Sequence, residues 1–558
     1  MMRFRLIIPT IILLLLVSCK TDDHSNGHSV FRYNEVDGIN SLDPLYTRNL
    51  SNINGCNQLF NGLVQYDDKM NVTPCIAKSW TISDDALTYT FTLRNDVYFH
   101  KSELFGSDST RKVIADDFVY SLNRVIDPAS ASPGGWIMAN VKRMDKQPAD
   151  KDFIPLAVTA LNDTTLQIEL SQPFSPFLSI LAMKYCSVVP REVVEHYGKD
   201  FRKNPIGTGP FKFKYWKEDE KLVLERNENY FETDSAGNRY PYLDYVAISF
   251  IKDKQTVFLE FVKDNFDYMS GVDPAYMREL ITPEGTLNEK YRDKFELISE
   301  PYLNTEYIGF NVEDETSPLS DPIVRQAVNY AIDKPKMLRH LRSNVGTPGI
   351  YGFIPTALPG HITTPQYEYD PIKAAELIKK SKFYNNGNFP EIRIATTMEY
   401  SDLCNYIQSR LSFIGIPVKV DVYSAAVIKD MRSTSKLQCF RGSWVADYSD
   451  AENYLSLFYS KNFCPTGPNY FHWKNDKFDA MYEMAISETD NDRRMELYSQ
   501  MDSLIMTEPP CIVLFYDKVL RFVSKNVSGL GSNPINLVDL KKTKVSKKQK
   551  TRDVKTAD

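Results

Sequence analysis

Phe440-Arg-Gly-Ser-Trp-Val-Ala-Asp-Tyr-Ser-Asp450 places a carboxylate three residues after a tryptophan, inside a locally apolar run. Asp447 is flanked by Ala446 and Tyr448, residue types that proteins tend to bury. A buried carboxylate is costly unless a partner compensates it. Arg441 is the only basic residue in the stretch. Two chemistries follow. Either Arg441 and Asp447 form a structural ion pair at a strand end, or Asp447 meets a cation from outside the chain while Trp444 or Tyr448 supplies an apolar wall.

Covalent chemistry finds little support. GxSxG, HExxH and a Cys–His arrangement are all absent, and seven histidines leave few candidate bases. The expectation is a binding protein, not an enzyme. Asn204-Pro-Ile-Gly-Thr-Gly-Pro-Phe211 reads as a hinge-like segment, and its lone GxG lacks the spacing of a nucleotide loop. No CxxC occurs and no Cys/His spacing suits zinc, so neither a metal nor another cofactor is expected. Besides Cys19 the chain has seven cysteines, an odd number that cannot all pair internally. One or two disulfides, Cys56–Cys75 foremost, and buried free thiols throughout both stay open. A net charge of -6 gives no basic footprint for nucleic acid. With 42% hydrophobic and 25% charged residues, the composition is that of a soluble globular protein. A chain of 558 residues should form several lobes.

The elements that must position residues 440–450 alternate between strand and helix. Residues 57–64 read as a helix ending near Gly62 and running into a strand. Residues 88–94 and 165–170 alternate polar and apolar, as strands do. Residues 115–124 carry an acidic first turn and an apolar face, hence a helix. From about Tyr302 the pattern restarts. Residues 307–311, 391–396, 418–422 and 511–516 read as strands, and 402–414 and 491–507 as helices. Asp321-Pro322 and Asp370-Pro371 each open a helix with an acidic cap and a proline in its first turn. The alternation argues for an α/β fold.

At the N-terminus, Arg3 and Arg5 precede an apolar run from Leu6 to Val17, too short to span a membrane comfortably. Leu16-Val17-Ser18-Cys19 resembles a bacterial lipobox, which implies removal of residues 1–18 and lipidation of Cys19. Residues 19–29 then form a polar tether, at most about 35 Å long at about 3.3–3.6 Å per residue. A lipid on Cys19 would hold the body at a membrane without spanning it. Cys19-Lys-Thr-Asp-Asp23 is loosely similar to the acidic export tags of some bacterial surface lipoproteins. Residues 538–558 are expected to be a basic disordered tail, since Lys541 to Asp558 is lysine-rich and nearly devoid of apolar residues.

Five markers in order resemble the solute-binding proteins of peptide-type ABC importers, family 5. They are Leu42-Asp-Pro44; Pro74 to Trp80 with Tyr89 to Arg94; Ala115-Asp-Asp-Phe-Val-Tyr-Ser-Leu; Gly207-Thr-Gly-Pro-Phe211 with Glu225 to Tyr230; and Arg325 to Asp333. The resemblance implies a bilobal periplasmic-binding-protein-like α/β fold, class II type, with an extra domain in the larger lobe. It places lobe I at 30–70, 191–295 and 510–537, the extra domain at 71–190, and lobe II at 296–509. Peptide-binding members carry an Asp after Trp-x-x that holds the peptide α-amino group, and Asp447 and Trp444 match those positions. Arg441 matches an arginine that meets a ligand carboxylate in some members. With Tyr448 and Val445 beside them, these residues form the expected ligand site. Val445 stands where some relatives have a disulfide cysteine, and His100-Lys-Ser-Glu103 replaces the usual His-Asp-Gly, followed by an apparent insertion at 104–112. The implied protein is a monomeric, lipid-anchored component of the cell envelope. It captures oligopeptides by hinge closure and passes them to the permease subunits of an ABC importer. Periplasmic, outer-membrane and cell-surface placements all stay open. The same fold with an oligosaccharide or a chelated metal is the alternative.

Overall fold

Two long strands carry the architecture, Phe295–Phe310 and Cys511–Ser524, paired antiparallel from Phe295 opposite Ser524 to Gly309 opposite Cys511. Their pairing is irregular between Pro301 and Thr305 and again between Glu306 and Tyr307. A computed structural model of the chain describes residues 28–148, 152–272, 274–385 and 388–546. The expected signal segment, Cys19 and nearly all of the tether lie outside these residues, as does the tail from 547 onward.

The two strands sit in the middle of a mixed sheet of eleven strands among the described residues. On one side Cys511–Ser524 pairs with Tyr268–Ser270, and the sheet continues through Val30–Asn34, Tyr245–Ser249, Lys221–Arg226 and Phe211–Lys217. On the other side Phe295–Phe310 pairs with Cys439–Val445, and the sheet continues through Ile392–Thr396 to Val418–Val422. The result is a bilobal α/β protein whose lobes share these two strands. The 511–516 and 307–311 strand expectations were each too short, because the strands continue across the lobe boundary through polar residues such as Glu300 and Lys518.

Each half of the sheet is covered on its faces. In the second lobe, neighbours along one strand go to opposite cores. Tyr307 joins Phe353, Phe440 and Phe471, while Ile308 joins Val324, Ile394 and Leu411. This is the period of two expected of a strand buried on both sides. In the first lobe Phe31, Phe60, Leu222 and Ile248 form the core. A separate antiparallel sheet, Ala77–Ile82, Thr88–Leu93, Thr165–Glu169 and Val158–Asn162, lies within 71–190 and packs with the helix Ala115–Ile126 around Phe91, Phe118 and Leu166.

Local chemistry sets the helix starts. Asp321, Asp333 and Asp370 accept from the backbone N–H groups of Ile323, Lys336 and Lys373. Pro322, Pro335 and Pro371 occupy first-turn positions where no N–H is required. The helix expected at 57–64 instead spans Leu50–Leu59, capped by Asn49.

Three expectations are corrected, and of the two cysteine alternatives the free thiols are found. Residues 204–211 are a fixed crossing, not a hinge: Gly209 N–H donates to Leu59 O at 2.8 Å, and a Cβ on Gly207 would stand 2.0 Å from that oxygen. Cys56, Cys75 and the five other described cysteines are free, buried thiols. Ser29 is anchored, its N–H donating to Asp244 Oδ2 at 2.8 Å, so the tether ends earlier than 29. The tail begins later than 538, because Val538 and Leu540 are buried and Lys544–Val545 pairs with Val527–Ser528.

Asp502 ties the helix Asn491–Thr507 to the loop after residue 350. Its Oδ1 accepts from Phe353 N–H at 2.6 Å and Ile354 N–H at 3.3 Å. Burial pushes its carboxyl up to about 7, and the backbone hydrogen bonds only partly oppose this. A carboxyl with a raised folded pKa holds its proton more tightly when folded, so its contribution to stability is full below the unfolded pKa and fades as pH rises through 7. Relative to Asp502→Asn, the wild type should therefore lose about 2–4 kcal/mol between pH 4 and pH 8. Denaturant melts of both proteins across that range check it, and parallel curves would refute it. Gly207→Ala should cost about 2–4 kcal/mol through the clash with Leu59 O. Gly135→Ala, with 3.7 Å to the nearest atom, should stay within about 0.5 kcal/mol in the same melts.

Candidate functional site

The strand Cys439–Val445 delivers the Trp-x-x-Asp segment to the place where the lobes meet. Arg441 pairs opposite Ile308, Trp444 opposite Thr305 and Val445 opposite Asn304. The ladder ends when Ala446 N–H donates to Leu303 O at 2.9 Å. The chain then turns through 447–450 into the short helix Glu452–Leu455.

One side chain holds that turn. The buried Asn453 uses its Oδ1 to accept from Trp444 Nε1 at 2.9 Å and from Asp447 N–H at 3.2 Å. Asp447 itself is solvent-exposed at the turn yet crowded by surrounding protein. That crowding raises its carboxyl above the usual aspartate range, and a hydrogen bond from Asn453 works the other way. No cation contributes among the described residues. Tyr185, from the 71–190 region, lies near enough for the Asp447 charge to add to the burial that raises its phenol.

Arg441 does not serve Asp447. It forms an ion pair with Glu306, and its guanidinium lies 3.3 Å from the centre of the Tyr400 ring. Asn304 Nδ2 donates to Glu306 as well, at 2.9 Å. The side chains of Arg441 and Glu306 are only 13% and 4% exposed, so the pair is desolvated and internally neutral. The structural Arg441–Asp447 pair is thus not formed. Val445 shares the Arg441 face of the strand and is 42% exposed. Trp444 is half-buried against the Tyr307–Phe440 core. Tyr448 is buried in the core of the 71–190 region, its hydroxyl donating to Glu452, so it is packing rather than an open wall. Beneath the turn, burial pushes Glu452 up to about 7, with Tyr448 and Tyr482 as its hydrogen-bond donors.

A cavity of about 630 Å³ opens at the crossing of the two long strands. Gly271 and Val272 line it from the first lobe, Tyr302 and residues 517–520 from the crossing, and Arg342, Tyr400 and Leu403 from the second. The volume suits a small ligand. Asp447 is not on this wall; the chain link between them is Ala446, bonded to Leu303, the sequence neighbour of the lining Tyr302. Arg342 in the wall is paired with Asp517 at 3.1 Å. Lys254, Arg278 and Lys518 also line it, with no carboxylate in ion-pair reach among the described residues.

Sequence reasoning singled out the Trp444–Asp447 segment but missed Asn453, Glu306, Tyr400 and the mixed-charge cavity wall, where Glu399, Asp402 and Asp517 stand beside the basic residues. Asn453 lies only six residues beyond Asp447, at a helix start, and carried no local signal. Glu306 was readable only through strand register.

The model for bacterial extracellular solute-binding proteins, family 5, matches residues 71–463. The chain is 26% identical over 488 residues to a dipeptide-binding protein of Escherichia coli, covering 86% of this chain and 87% of that one. It is 27% identical over 534 residues to heme-binding protein A of Haemophilus influenzae, covering 93% and 92%. Among solved structures, HbpA2 from Haemophilus parasuis superposes with a TM-score of 0.79 at 24% identity, covering 93% of this chain and 99% of that one. The periplasmic binding protein DppA from Helicobacter pylori, in complex with the peptide STSA, gives 0.72 at 25% identity, covering 93% and 98%. The chain belongs to the bacterial extracellular solute-binding proteins, family 5.

Proposed function

We propose that this protein captures oligopeptides in the cleft between its lobes and delivers them to the permease subunits of an ABC importer. The observation that carries the reading is Asp447: a crowded carboxylate, held by Asn453, with no cation of its own among the described residues. A peptide α-ammonium supplies that cation in a charge-assisted hydrogen bond. Because Arg441 is neutralised by Glu306, the peptide's carboxylate or an acidic side chain goes instead to Lys254, Arg278 or Lys518. Peptide N–H and C=O groups pair with strand edges in the cleft, which makes recognition tolerant of side chains. Closure of the lobes around the two shared strands removes the peptide from water. An oligosaccharide would leave Asp447 without a counter-charge, which favours the peptide. The relatives named for a dipeptide and solved with a peptide lend the same support.

Native mass spectrometry of gently purified protein should show a ladder of peptide masses that is lost in Asp447→Ala. In titration calorimetry with the recovered peptides, N-acetylation should weaken binding by about 1.5–3 kcal/mol, roughly 10- to 150-fold. Equal affinity for free and acetylated peptides would remove the amine clamp, and a single non-peptide mass would remove the ligand class.

The same reading places the protein in the cell envelope, as a monomer anchored through a lipid on Cys19. Cys19→Ser should move it from the membrane fraction to the soluble fraction of fractionated cells, and retention on membranes would count against the anchor.

A further inference from the structure

Burial pushes up the thiols of Cys56, Cys75, Cys186, Cys404, Cys439 and Cys511. Cys464 has a different setting. Its Sγ lies 3.1 Å from His472 Nε2 and 3.2 Å from Ser435 Oγ, with Arg432 O farther off at 3.7 Å. Ser435 Oγ is also 2.7 Å from His472 Nε2. Across the ring, His472 Nδ1 stands 2.7 Å from Glu313 Oε2. The two atoms make no hydrogen bond in this geometry, but Glu313 is the group that faces the far side of the ring. Phe463 stacks on the ring with centroids 4.8 Å apart.

Three separate parts of the second lobe converge here. Glu313 follows the strand Phe295–Phe310, Ser435 follows the helix Ala425–Ser433, and Cys464 and His472 flank one loop. His472 holds a left-handed φ of 51° to present its ring. The sequence showed no Cys–His motif because the two residues are eight apart in an irregular loop and their orienting carboxylate lies far upstream. A nucleophile in reach of a base, with the base oriented by a third group, is the arrangement that activates a thiol. Cys464 is itself 5% exposed, but Pro465 and Thr466 beside it are exposed and the Glu313 side chain is 65% exposed. The cluster therefore lies just under the surface, and it shares no residue with the cleft.

We propose that Cys464 is a modification site, an activated thiol that takes up a small-molecule disulfide by exchange. His472 Nε2 accepts the thiol proton as Sγ attacks one sulfur of the disulfide. A new S–S bond forms, the old one breaks, and the departing sulfur leaves as a thiolate that recovers the proton from His472. Cys464 is oxidised to the mixed disulfide and half of the small disulfide is reduced to a thiol.

The test is incubation of the full chain with glutathione disulfide, mapped cysteine by cysteine by mass spectrometry. Cys464 should be modified about a hundredfold or more faster than the six other described thiols, the low end of what a positioned base contributes. His472→Asn, which tolerates the left-handed backbone, should slow Cys464 by a similar factor. Glu313→Gln should slow it less. An inert Cys464 in the wild type would overturn the proposal. So would a folded His472→Asn protein reacting at the wild-type rate. If that variant does not fold, the surface substitution Glu313→Gln decides, and an unchanged rate would be fatal.

Discussion

The pairing of Phe295–Phe310 with Cys511–Ser524 is the constraint on which the other parts depend. Both strands cross from one lobe to the other, so each lobe's sheet is nucleated on the same pair of backbones. The irregular register between Pro301 and Thr305 falls where the lobes meet. Such an irregularity bends and twists a strand pair. There it exposes Tyr302 to the cavity and frees Leu303 O to receive Ala446. The Trp444–Asp447 turn is thus built on the same irregularity that separates the lobes.

Charge in the cleft is distributed by that geometry. Cross-strand neighbours share a face, which puts Asn304 and Glu306 beside Arg441 and satisfies the arginine within the protein. Asp447 lies beyond the end of the ladder and has no such neighbour. Among the described residues Asp447 has no cation beside it at the turn, while the cavity wall carries both cations, Lys254, Arg278 and Lys518, and carboxylates, Glu399 and Asp402, outside any ion pair.

Much of the fold was legible because its signals are local. The Asp-Pro helix starts at 321 and 370, the alternating strand at Thr88–Leu93 and the long helix Asn491–Thr507 stand as read. Strand lengths were less legible, since polar residues such as Glu300 and Lys518 interrupt the apolar pattern where the strands pass through the solvent-facing waist. The Trp444–Asp447 pair could be picked out because an acid in an apolar setting is costly wherever it lies. Its surroundings could not. Glu306, Tyr400 and Asn453 are ordinary residues in sequence, and long-range register or a single side-chain rotamer brings them to the site. The C-terminal segment was misread because lysine content outweighed two apolar residues, Val538 and Leu540, that are fully packed.

Asn453 has an effect that reaches beyond its two hydrogen bonds. By accepting from both the Trp444 indole and the Asp447 backbone, it fixes the turn without using the Asp447 carboxylate as its own cap. Aspartates at such turns commonly bond to backbone N–H groups nearby. Here that role is delegated, and the Asn453 side chain also bonds the carboxylate, which leaves it steadied yet open to solvent. Under the proposed amine contact, selectivity among ligands would rest less on adaptation of the protein than on how much entropy each ligand gives up in reaching a steadied acceptor.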